Sequence, residues 1–244
     1  MTTDGFDPAA LVDEIAAATA QVLDTAERLD AARMAGPSLL AGWSRAHVLS
    51  HLARNADALG NLAHWAGTGV PTPMYGPGNA RDAAIEAGAH RPPEEVLADL
   101  RTTSTRLNDT LEAMSPAAWG AKVAGPDGRE FAAVQLPYKR LRELYIHHVD
   151  LNAGWTPAHW PGDFATRELL DAAASFRGRP DTVPLLLHDE DSGRRLTIGP
   201  EDHAPVAVVS GRRRTLLAWL IGRTGGDGLV MDPPGALPPL PAWL

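Results

Sequence analysis

Four stretches of helical periodicity set the limits on what this chain can fold into. They run from about 7 to 34, 44 to 66, 92 to 114 and 137 to 152. Asp7-Pro8 supplies an N-cap and a first helical position for the first. "GPSLLAGW" breaks it, and Ser44 caps the second. Pro92-Pro93-Glu94-Glu95 opens the third, and Gly154 stops the fourth. On the second stretch Val48, Leu52, Ala56, Leu59 and Ala63 form one apolar stripe. Such helices must bury their apolar faces against one another. Joined by short or moderate connections, they predict an antiparallel four-helix bundle. "GTGVPTPMYGPGN" reads as a loop, and "VAGPDGREF" as a short turn or hairpin.

The pattern changes after "NAGWTPAHWPGD". A helix at about 164–177 precedes "TVPLLLHDEDSGRRLTI", which reads as two strands around an acidic turn. "APVAVVSG" is a further strand and "RRRTLLAWLIGR" a further helix. The Pro-rich tail is extended, with Trp243 and Leu244 placed to pack onto the body. The fold class is therefore α+β: a helical bundle over residues 1–155, then a small α+β domain over 156–244.

Function classes narrow by exclusion. Apolar residues make up 44% of the 244, enough for a real core. The formal charge is −8 and the 22 Lys and Arg are scattered, which argues against nucleic acid as a partner. No apolar run reaches the ~18 residues of a membrane span. "MTTDGFDPAALVDE" lacks the pattern of a secretion signal, so a cytoplasmic monomer acting on small molecules is expected. There is no cysteine. Any metal must then be held by His, Asp and Glu, and any thiol chemistry must use a thiol from outside.

One helix concentrates chemistry. In "LRELYIHHVDL", Glu143, His147 and Asp150 stand at i, i+4 and i+7 and share a face, while Leu141, Leu144, Tyr145 and His148 lie on the other side. Two readings compete: a solvated polar face with a local ion pair, or half of a metal site. Two ligands are too few for a catalytic ion, which commonly has three from the protein and one open position. The missing one should come from a facing helix, where His47 and His51 are candidates; His51 lies closer to the apolar stripe. A lone histidine beside such a stripe is more often a hydrogen-bonded structural residue than a ligand.

The stretch "LLAGWSRAHVLSHLARNADALGNLAHWAGTGVPTPMY" (39–75) closely resembles the mycothiol-dependent maleylpyruvate isomerases, as do "RLRELYIHHVDL", "LIGRTGGDGL" and the closing "PAWL". The histidine and Glu/His pattern alone is similar to the wider DinB-like superfamily of metal-binding four-helix bundles. The resemblance implies a divalent metal, usually zinc, held by His51, Glu143 and His147, with His148 a neighbour. It implies a functional arginine at Arg223 and an acid at Asp150. Asn55 and Tyr75 fall in the best-matched stretch and are candidates to line the substrate pocket; Tyr75 can equally be a buried aromatic with a satisfied hydroxyl. It also implies conversion of maleylpyruvate to fumarylpyruvate in gentisate breakdown, with mycothiol as the borrowed thiol. A mycothiol-dependent S-transferase and a non-catalytic carrier are the alternatives.

Overall fold

The computed structural model describes residues 7–243. The first six positions, on which the expectation of no secretion signal partly rests, and Leu244 lie outside the described residues. The chain divides into two compact units, Met1–Trp155 and Thr156–Leu244.

The first unit is built on four long helices. α1 spans Pro8–Glu27, α3 Arg45–Thr68, α5 Pro93–Glu112 and α7 Leu136–Asp150. The intervening short helices are α2 (Ala31–Ala35), α4 (Ala80–Ala89) and α6 (Pro116–Gly120). A small hairpin pairs β1 (Lys122–Ala124) with β2 (Glu130–Ala132). The long helices pack in the ring order α1, α5, α3, α7, and α4 lies against α3. With α4, α5 and α7 around it, α3 is buried on most of its circumference. Val48, Leu49, Leu52, Ala53, Leu59 and Leu62 are all at most 1% exposed. Each fully buried leucine contributes about 1.5–3 kcal/mol relative to exposure.

A boundary and a whole helix differ from the sequence expectation. The first helix ends at Glu27 and not near residue 34, because Asp30 starts a new helix: its side chain accepts from Arg33 N at 2.8 Å. Helix α4 was not expected at all. Its N-cap Asn79 makes no side-chain cap hydrogen bond, and Gly and Pro crowd the preceding loop. Packing holds it instead. Ser50 Oγ donates to Ile85 O at 2.9 Å, and Gly88 sits so close that an added Cβ would overlap the Ser50 hydroxyl.

In the second unit α8 (Gly162–Phe176) and α9 (Arg213–Leu220) pack together. Strands β3 (Leu185–Asp189), β4 (Arg194–Ile198), β5 (Ala207–Gly211) and β6 (Val230–Asp232) form one sheet in the order β4-β3-β5-β6. β3 and β5 run parallel in the centre, with Leu187 opposite Val209; both outer pairings are antiparallel. Alternate residues of the central strands are buried, as a sheet covered on one face requires. The acidic turn between β3 and β4 is present, and Gly193 takes the positive φ of 70° there. β6 was not foreseen. The tail is tied down where Arg179 Nη1 donates to Ala242 O at 2.8 Å, leaving Trp243 half-buried.

Candidate metal centre

The site forms where α3 faces α7. Ser44 caps α3 in a capping box with His47: His47 N donates to Ser44 Oγ, and Ser44 N donates to His47 Nδ1 at 3.2 Å. The other ring nitrogen of His47 lies 3.0 Å from Glu86 Oε2 on α4. His47 is thereby committed to holding the helix start and α4. One turn on, His51 is 5% exposed and points at α7.

His51 Nε2 lies 2.8 Å from Glu143 Oε2, and His147 Nε2 lies 3.2 Å from the same oxygen. One donor atom from each of the three residues falls within a sphere where none is more than 4.8 Å from another. The two imidazoles meet edge to face at 4.6 Å and 84°, so their Nε2 atoms converge without stacking. Asp150, buried at the far end of the i, i+7 face, places Oδ2 2.8 Å from His147 Nδ1. The Asp150 carboxylate accepts a hydrogen bond from His147 Nδ1–H, which fixes the ring with Nε2 turned toward the cluster. This is the arrangement in which a carboxylate orients a metal-ligating histidine. Two imidazoles and one carboxylate suit a borderline divalent ion such as zinc, with one coordination position to spare.

The electrostatics follow from this crowding. Burial opposes charge on Glu143, but hydrogen bonds from His147 and His51 overcome it and hold the carboxyl well below the usual range. Burial would lower His147, yet its bonds to Asp150 and Glu143 raise it to about 9. Burial lowers His51, and the bond to Glu143 only partly offsets it. Without an ion, the cluster therefore holds a proton on His147 and a charge on Glu143.

His148, next in sequence, faces away. It is 1% exposed, stacks on Trp155 at 4.1 Å and places Nε2 2.8 Å from Thr25 Oγ1 on α1. Asn55 is buried at 4% exposure, and its Oδ1 accepts from Arg140 Nη1 at 2.9 Å. Tyr75 lines a cleft of about 530 Å³ together with Trp65, Met74, Asn79, Arg81 and Asp82. Burial pushes its hydroxyl pKa up against the opposing charge of Arg81. Arg223 lies just past α9 in the second unit, where its Nη1 donates to Ile221 O at 2.8 Å.

Two residues at or beside the centre escaped the sequence reading. Arg140, fully buried one turn before Glu143, donates to Leu52 O at 2.8 Å and Ser104 Oγ at 3.1 Å as well as to Asn55. It ties α7 to α3 and α5, and burial lowers its pKa to about 10. The available signal was a charge placed i−3 from Glu143. Arg81, on α4, sends Nη2 to within 3.3 Å of His51 Nδ1. With α4 unassigned, nothing in the sequence placed it there.

Two histidines and a glutamate converging from facing helices make a group that could hold a divalent ion inside the bundle. The chain belongs to the family described as the mycothiol maleylpyruvate isomerase N-terminal domain, whose sequence model matches residues 15–152. It is similar over its whole length to a crystal structure of the mycothiol-dependent maleylpyruvate isomerase. The two share 29% identity and a TM-score of 0.88, with 100% of each chain covered. A structure of a histidine-to-alanine mutant of that isomerase matches with the same values. No curated protein matches the chain.

Proposed function

We propose that the protein is an enzyme that isomerises maleylpyruvate to fumarylpyruvate in gentisate breakdown, using the thiolate of mycothiol. The observation that carries this reading is the His51, Glu143 and His147 cluster, set in a chain without cysteine. A cis double bond does not rotate at ambient temperature. A nucleophile must add to one carbon, moving the π electrons toward the keto oxygen. The remaining single bond turns, and return of the electrons expels the nucleophile. A thiolate both adds and leaves readily.

His51, Glu143 and His147 would hold the ion, and Asp150 would fix the tautomer of His147. A bound divalent ion would supply one thing: a lowered pKa for the incoming sulfur, so that thiolate is present at neutral pH. Buried Arg140 keeps α3 and α7 in register, which sets the separation of His51 from Glu143. Tyr75 and Asn55 shape the substrate side of the centre. Arg223 is the residue assigned to the negative charge that addition moves onto the substrate.

The test is loss of maleylpyruvate absorbance with and without mycothiol. Many turnovers are expected on a sub-stoichiometric amount of thiol, because each thiol is released. One-for-one consumption with a stable thioether would instead make the protein an S-transferase.

A further inference from the structure

Arg81 is the one cation in contact with the metal cluster from within the bundle unit that also lines a cleft, among the described residues. Its guanidinium lies 3.3 Å from His51 Nδ1 and 5.8 Å from the Tyr75 ring centroid, and its side chain is 37% exposed. Its ion-pair partner, Asp82 at 2.7 Å, is on the surface with 72% exposure. Such an exposed pair contributes little and is readily exchanged. We infer that Arg81 is a substrate-binding residue that grips a carboxylate of a dicarboxylate substrate in the Trp65–Asp82 cleft.

Two features support this. A guanidinium presents a planar fork that matches a carboxylate with two parallel hydrogen bonds. Tyr75, whose ring centroid lies 5.8 Å from the guanidinium, lines the same cleft, so the cation stands at the cleft wall beside an aromatic face. The docking of α4 through Gly88 and Ser50 fixes where this side chain starts.

The inference deepens the proposed function by naming how a dianionic substrate is recognised, and it is tested without turnover. The probe is maleate, titrated calorimetrically into the zinc-loaded full chain with no thiol present. Isocrotonate, in which a methyl group replaces one carboxylate, is the control. Arg81→Met should weaken maleate by about 10-fold or more and isocrotonate by clearly less, and Arg81→Lys should fall between, as the loss of a two-point grip requires. Metal content should be unchanged in both variants. Maleate affinity within about twofold of wild type in Arg81→Met overturns the inference, as does failure of the wild type to bind maleate. Loss of metal from Arg81→Met also overturns it, because Arg81 would then be a support for His51. Arg81-dependent maleate binding in a protein that fails to isomerise maleylpyruvate would sink the isomerase reading and leave this one standing.

Discussion

Asparagine at position 150 separates the charge of the buried carboxylate from its shape. Oδ2 of Asp150 accepts from His147 Nδ1 at 2.8 Å, and the side chain is 1% exposed. Asparagine keeps an acceptor in the same place and loses the negative charge. A charge-assisted hydrogen bond is roughly twice as strong as a neutral one, so the ion-binding state should lose about 1–1.5 kcal/mol, close to tenfold in affinity. Alanine removes the acceptor too and should approach 100-fold, the upper range for such supporting groups. A second effect opposes the first. Burial apart, Asp150 is the leading reason that His147 holds its proton up to about 9, and an incoming ion must displace that proton. The folded-state pKa is raised, so wild type carries this competing proton at pH 7 and sheds it as the pH rises through 9. Asp150→Asn sheds it earlier. The deficit of the variant should therefore be small at pH 7 and should grow toward tenfold above pH 9. Competition with a chromophoric chelator across this range measures both arms. A deficit that is independent of pH, or no deficit above pH 9, would refute the claim that Asp150 acts through His147.

Alanine at His51, Glu143 or His147 should each remove most bound metal and nearly all activity, by elemental analysis and assay, since two donors hold a divalent ion poorly. His148→Ala should keep the metal and lower the melting temperature, because it deletes the stack on Trp155 and the bond to Thr25. Arg140→Met should cost about 3–5 kcal/mol in urea unfolding, as Leu52 O, Asn55 Oδ1 and Ser104 Oγ each lose a buried donor at about 1–3 kcal/mol apiece, partly made up by their other bonds; a loss under 1 kcal/mol would count against the brace. Arg223→Met should reduce turnover by about 10²-fold with metal content unchanged; normal turnover would leave it a helix-end residue bonded to Ile221 O. Gly88→Ala should destabilise by about 1–3 kcal/mol through overpacking against Ser50, and hydrogen exchange should show the loosening confined to α4.

The long helices were legible because each carries its own start signal. Ser44 caps α3, Pro93 opens α5, and an unbroken apolar stripe runs between caps and stops. The Glu143/His147 pair was legible for a related reason: i, i+4 spacing is a local property of one helix. The choice between His47 and His51 was half legible. Distance from the apolar stripe favoured His51, but the reason His47 is spoken for, a capping box and Glu86, needed α4. Helix α4 itself is defined by tertiary contact and not by its own sequence, so everything it carries, Arg81 included, stayed hidden. The same holds for Arg140. A buried arginine bonded to a main-chain carbonyl of another helix leaves no trace in hydrophobic spacing. The break after Glu27 was missed because the Ala-rich run continues past it and Asp30 is a single capping residue within that run.

The distance along the chain between His51 and Glu143 is 92 residues. An ion gripping both would pin the two ends of that long segment together. By the chain-entropy reasoning applied to a disulfide closing a similar loop, such a tie restricts the unfolded ensemble by about 4–5 kcal/mol. Its strength would be set by the concentration of free ion, which a covalent bridge ignores. When filled, the centre would thus serve as a reversible clasp, opened by a chelator and closed by refilling, in a chain that has no cysteine with which to make a permanent one.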